Sequence, residues 1–265
     1  MDPVEPDPMN VVCDLDGVIW LGDTPIRGAA DAVAKLRGAG HRVLFVTNNS
    51  FAPVADVEAK LARHGIPAEG DVLTSAMAAA RLIEPGQRVF LCAGPGAREE
   101  IEARGAIVVD THDGDDEPRV DAVVVGFHRT FDYEELRKAA GAVRRGATLI
   151  GTNDDATYPT ADGPIPGGGS ILAAVQVGSG ATAIVTGKPY AAMAGLVRAE
   201  LASVGGPSLM IGDRPDTDGR FSVELGVPFA LVLSGVVKRS HLPVEPAPHH
   251  IADDIAALAS TLLGQ

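Results

Sequence analysis

Short apolar runs alternate with helix-like stretches along most of this chain, and that alternation narrows its fold more than any other feature. Val11–Cys13, Arg42–Val46, Arg88–Cys92, Ile107–Val109, Ala122–Val125, Thr148–Gly151, Ile184–Val185, Ser208–Ile211 and Ala230–Leu233 read as strands. Between them, helical spacing predicts Ala29–Gly40, Val54–His64, Thr74–Ile83, a helix from Gly94-Pro95-Gly96 to Arg104, and Tyr133–Arg144. The series continues with Ser170 to about Val177, Pro189–Val204 and Phe221–Leu225. Strand and helix alternating along most of the chain build an α/β fold, a parallel sheet wrapped by helices. The 265 residues suffice for one large or two small domains. With 46% hydrophobic and only 4% aromatic residues, the core is made of Ala, Val, Gly and Leu, which suits close helix-on-sheet packing.

The formal net charge of −13 argues against nucleic acid or anionic membrane as the main partner. An anionic substrate then needs local cations or a metal. Two cysteines, Cys13 and Cys92, are too few for a disulfide framework and lack zinc-ligand spacing, so both are expected as buried small hydrophobes. No apolar run reaches the 18 or so residues of a membrane span. The start, MDPVEPDPMN, is acidic and proline-rich, unlike a signal peptide. Residues 1–8 are expected to be a disordered tail, and the cytoplasm is the default location.

The first strand runs into Asp14-Leu15-Asp16-Gly17. Two carboxylates spaced by two leave an extended backbone on the same side, and Gly17 lets the chain turn just beyond them. Alone, this stretch reads equally as an Asx-type turn. Three others add to it. Thr47 ends a strand in LFVTNNS, Lys188 precedes Pro189 in TGKPY, and LMIGDRPDTD puts Asp213 and Asp218 just past another strand. Ligands of open α/β sheets bind beyond the carboxyl ends of strands, where these residues fall. Crowded carboxylates call for a hard divalent cation such as Mg2+, while lysine and backbone amides suit phosphoryl oxygens. A carboxylate can also act as nucleophile. The set reads as phosphoryl transfer.

These four stretches, DLDG, the strand-end threonine, the lysine before proline and GDRPDTD, resemble the motifs of the haloacid dehalogenase-like (HAD) superfamily. FVTNNS, TGKP, GDRPDTD and TNDDATYPT followed by IPGGGS are similar to its class IIA, the NagD-like and 4-nitrophenyl-phosphatase-like proteins. The resemblance runs from Asn10 to about Leu233. It implies a Rossmann-like parallel-sheet core at 9–78 and 183–265, with an inserted class II α/β cap at 79–182. It implies a Mg2+-dependent phosphatase acting on a small phosphorylated metabolite, with a homodimer left open.

Residue by residue, the resemblance makes Asp14 the nucleophile that forms an aspartyl-phosphate, and Asp16 the acid and base. Thr47, Asn48 and Lys188 hold the phosphoryl group. Asp14, the main-chain carbonyl of Asp16, and Asp213 ligate Mg2+, with Asp218 close by. Asn153 and Asp155 match the TNxD pattern of a substrate loop. Cys13 before the nucleophile, Gly219-Arg220-Phe221, and His128 in VVGFHRTFDY depart from the usual pattern. A haloacid dehalogenase is the first alternative, but it needs neither Asp16 nor a metal cluster. A non-catalytic phosphate-binding module, the second, would have lost the nucleophile or the lysine.

Other features carry less. Gly94-Pro95-Gly96 lacks the third glycine of a dinucleotide fingerprint and is expected to be a tight strand-to-helix turn. His249-His250 have no partner at ligand spacing and read as a solvated pair. The acidity around Asp113–Glu117 reads as a solvated loop. Trp20 could wall a site or simply pack. The stretch 152–170 is either a functional loop or a β-hairpin with proline corners.

Overall fold

Asn10–Cys13, the first of the apolar runs, is no more than 2% exposed and therefore central. In the computed structural model, which describes residues 8–109, 119–158, 163–202 and 205–265, it lies inside a six-stranded sheet. Ser208–Gly212 pairs with it in parallel on one side and Arg42–Thr47 on the other. Phe229–Val232 and His250–Ala252 extend the sheet in parallel beyond Ser208–Gly212, and Val72–Thr74 closes the opposite edge.

A second, five-stranded sheet has the order Ile184–Val185, Thr148–Gly151, Ala122–Val125, Arg88–Cys92 and Ile107–Val109, parallel throughout. Its strands show why alternation fixes faces: successive side chains point to opposite sides. Val89, Leu91, Val124 and Ile150 enter one apolar cluster with Ala97 and Ile101 of the helix Pro95–Ala103. Phe90, Cys92, Val123, Val125 and Leu149 enter the other. That face is covered by the helices Tyr133–Arg144 and Gly168–Ser179 through Ala139, Val143, Leu172 and Val175. Each fully buried Phe or Leu of this kind contributes on the order of 1.5–3 kcal/mol. The α/β class is as expected, and the parallel strands fall into two sheets.

The described chain divides into two compact units. One gathers the chain up to Thr47, Val57–Leu73 and everything from Ala194 onward; the other comprises Asn48–Asp56 and Thr74–Met193. The first holds the six-stranded sheet up to Leu73 of its edge strand, and the second the five-stranded one, Ile184–Val185 included.

Element ends differ from the periodicity in instructive ways. The helix expected at Thr74–Ile83 is Ser75–Ala80, because Val72–Thr74 is a strand and the Thr74 hydroxyl caps the helix by accepting from Met77 N–H. The helix expected from Ser170 starts at Gly168, where three glycines offered no helical signal. The strand His250–Ala252 and the helix Ile255–Leu262 lie past the last element expected, hidden by the proline-rich stretch before them. Both cysteines are buried and free, and burial pushes the Cys92 thiol well up, with Glu135 adding to it. Gly94 and Gly96 turn the chain into a helix while touching Phe51 and Ala52 so closely that neither has room for a Cβ. No described helix is long and apolar enough to cross a membrane. The tail 1–7, Asp113–Glu117 and positions 159–162 of the long stretch lie outside the described residues.

Candidate active site

Parallel pairing brings the carboxylates of the first unit together. The register matches Cys13 to Ile211, and Asp14 N–H donates to Ile211 O at 2.9 Å. The residues just past the two strand ends, Asp14 and Asp213, are therefore neighbours despite 199 positions between them (213 − 14). Asp218 arrives by another route. Pro215–Gly219 forms a π-helical turn, a wide coil frequent at functional sites, and the Arg214 N–H donates to Asp218 Oδ2 at 3.2 Å. Asp14, Asp213 and Asp218 are all buried, and each offers an oxygen within 4.8 Å of the others. No other such group of three potential metal ligands occurs among the described residues, His249-His250 included.

Glycines make the room for this cluster. Gly17, at φ 84°, and Gly235 both face Asp213, and Gly212 faces Asp218; a methyl at any of the three would overlap the carboxylate. Val236 N–H donates to Asp213 Oδ2 at 2.6 Å, and Ser234 Oγ donates to Gly17 O at 2.7 Å. Two unit charges 4.8 Å apart repel by about 3.5 kcal/mol at an effective dielectric constant of about 20. Three buried, convergent, hard oxygen donors in a cradle free of Cβ atoms fit a divalent cation such as Mg2+.

Asp16 sits in the turn that follows Asp14. Trp20 donates its indole N–H to Asp16 Oδ1 at 3.0 Å. Trp20 itself is buried at the base of a small hairpin, where Trp20–Leu21 pairs with Thr24–Pro25. Lys60 holds the hairpin: its ammonium lies 4.3 Å from the Trp20 ring centre, donates to Gly22 O at 2.7 Å and pairs with Asp23 at 3.2 Å. Of the two readings of Trp20, its burial fits packing, and its indole also contacts Asp16. Thr47 is the buried last residue of Arg42–Thr47, at the same end of the sheet as Asp14.

Asn48, Lys188, Asn153 and Asp155 belong to the second unit, where hydrogen bonds join them. Asn48 Oδ1 accepts from Lys188 N–H at 2.7 Å, and its Nδ2 donates to Lys188 O and to Asp155 Oδ2, both at 3.0 Å. Asn153 Nδ2 donates to Asn48 O at 2.9 Å, and Asn153 Oδ1 accepts from Asp155 N–H at 3.2 Å. Thr157–Tyr158 pairs antiparallel with Ile165–Pro166, so a hairpin does occupy part of the long stretch. His128 lies apart from this cluster, with Nδ1 3.4 Å from Glu135 and Nε2 3.1 Å from Thr130 Oγ1. Arg129 faces the Phe127 ring, which stacks on Tyr158 at 4.6 Å. Sequence reasoning missed both the Trp20–Asp16 contact and the role of the Asn48 side chain. The position of Trp20 four residues after Asp16 was the available signal for the first, and no local pattern announces the second.

A family model described as haloacid dehalogenase-like hydrolase matches residues 11–107, and a second, HAD-hydrolase-like, matches 185–258. Human chronophin (Homo sapiens) is 35% identical over 275 aligned positions, covering 96% of this chain and 93% of its own. The glycerol phosphate phosphatase of Mycobacterium tuberculosis, solved in complex with magnesium, superposes with a TM-score of 0.86 at 33% identity, over 98% of this chain and 80% of that one. A p-nitrophenyl phosphatase from Archaeoglobus fulgidus gives a TM-score of 0.85 at 30% identity, over 97% of this chain and all of the other.

Proposed function

The chain belongs to the haloacid dehalogenase-like hydrolase family, and on that premise we propose that it hydrolyses small phosphate monoesters with Mg2+ through an aspartyl-phosphate. The observation that carries this reading is the buried cluster of Asp14, Asp213 and Asp218, with Asp16 in the turn directly after Asp14. In this reading the core comprises 9–78 and 183–265, and 79–182 is a class II cap.

Asp14 attacks phosphorus through a carboxylate oxygen, and the bond from phosphorus to the ester oxygen breaks as the new one forms. Asp16 gives its proton to the departing alcohol oxygen. The resulting Asp16 carboxylate then takes a proton from water, which attacks the aspartyl-phosphate at phosphorus; inorganic phosphate leaves and Asp14 is restored. Thr47 and the Lys188 ammonium hold the phosphoryl oxygens, with the Asn48 main chain beside the threonine. Asp14, the Asp16 carbonyl and Asp213 would hold Mg2+, and Asp218 supports that site. The ion offsets the charge of the carboxylates and of the phosphate dianion. Cytoplasmic location and a small phosphorylated metabolite as substrate belong to the same proposal, which leaves a homodimer open.

Release of phosphate from a panel of phosphometabolites and 4-nitrophenyl phosphate, with Mg2+ and with EDTA, tests this reading. Hydrolysis should stop in EDTA and return with Mg2+. Full activity in exhaustively chelated protein would sink it.

A further inference from the structure

Asn48 is bonded on every side to groups more than a hundred positions away, apart from the nearby Ser75. Its amide reaches Lys188 twice, through Oδ1 and Nδ2, and reaches Asp155 once. An amide has two N–H donors, and here both are spent inside the protein. The orientation of the amide is fixed, because Lys188 N–H requires an acceptor and Lys188 O a donor. The main-chain oxygen of Asn48 accepts two further bonds, from Asn153 Nδ2 at 2.9 Å and from Ser75 Oγ at 2.8 Å. Gly187 lets the strand end preceding the lysine approach, since a Cβ there would come within 2.6 Å of both Asn48 Oδ1 and Thr152 O. Asn153 is 5% exposed, with its amide turned inward to Asn48 and to the main chain of Asp155.

We infer that Asn48, Asn153 and Asp155 are positioning residues that set the main chain of Lys188, and that they do not read the leaving group of the substrate. The inference rests on the reading above in which Lys188 holds the phosphoryl group. It changes what the TNDD stretch does. A residue touching the leaving group discriminates among esters. A residue that places the phosphoryl-binding lysine affects every monoester alike, because the phosphoryl group is common to all.

The test compares Asp155→Ala, Asp155→Asn and Asn48→Ala. Inorganic phosphate is titrated calorimetrically into the Mg2+-loaded protein, and kcat/KM is measured for 4-nitrophenyl phosphate and for glycerol phosphate, each beside a thermal melt. Asp155→Ala should weaken phosphate binding by about tenfold, the scale of one lost hydrogen bond to a charged group, and Asn48→Ala, which loses three side-chain bonds, by at least as much. They should lower the two esters in parallel. Asp155→Asn keeps an acceptor for Asn48 Nδ2 and should stay within about threefold of wild type by the same measure. Should Asn48→Ala fail to fold, the Asp155 pair decides. Unchanged phosphate affinity in folded Asp155→Ala, or a loss on one ester more than about tenfold beyond the other, would overturn the inference. A wild-type protein that binds phosphate but hydrolyses no ester would count against the functional reading alone, and the phosphate titrations would still decide this one.

Discussion

Replacing Asp218 by Asn should make the metal-free protein more stable and its response to Mg2+ smaller. Asn keeps the shape of Asp218 and an oxygen for the Arg214 N–H, 3.2 Å away in the native chain. It removes one of three buried charges whose oxygens lie within 4.8 Å of one another. At 4.8 Å a pairwise repulsion is about 3.5 kcal/mol at an effective dielectric constant of about 20, before neighbouring donors and side-chain relaxation reduce it. A net gain of about 1 kcal/mol in EDTA is a conservative expectation, and for a chain of this size it raises Tm by about 2–4 °C. With Mg2+ the sign reverses. An ion at a hundred times its Kd stabilises the native state by about 2.7 kcal/mol, and a tenfold weaker site at the same concentration by only about 1.4 kcal/mol. Fluorescence-monitored melts of both proteins, in EDTA and across a Mg2+ series, read both effects. A variant that melts lower in EDTA while its Mg2+ shift is undiminished would refute the idea that these carboxylates share one ion.

Two further outcomes follow from other parts of the molecule. Trp20→Phe keeps a ring under Lys60 but deletes the N–H that reaches Asp16, 3.0 Å away. Like Asp16→Asn, whose loss should be of order 10²–10⁴-fold, it should slow alkyl phosphates more than 4-nitrophenyl phosphate, whose leaving group needs little protonation; equal losses in steady-state assays would contradict the acid role. His41, 3% exposed, accepts the Met9 N–H at Nδ1, and burial lowers its pKa below 6.5. The unfolded chain then takes up a proton that the folded one refuses, so stability is full above about pH 6.5 and falls as pH drops below it. In His41→Gln, Tm should therefore vary less with pH between about 7 and 5, and an unchanged slope would remove His41 from the account.

Local pattern determined the α/β class, because short apolar runs between helical segments leave few alternatives to parallel sheets. It also placed Asp14, Thr47 and Asp213, since a residue that follows a strand of a parallel sheet must lie at the carboxyl edge whatever the rest of the chain does. The proximity of Asp14 to Asp213 needed one further fact, the pairing of Asn10–Cys13 with Ser208–Gly212, which no periodicity contains. The π-helical turn that aims Asp218, the indole bond to Asp16 and the three-way bonding of Asn48 lie further out of reach. The first two depend on the direction of a side chain within a four-residue turn, and the third on contacts between segments up to 140 positions apart. Residue types and spacing decided which chemical groups this protein carries and at which edge of the sheet the carboxylates stand. Only the tertiary structure decided which polar atoms spend their hydrogen bonds inside the protein, because a bond between distant segments exists only once strand order and register have brought them together.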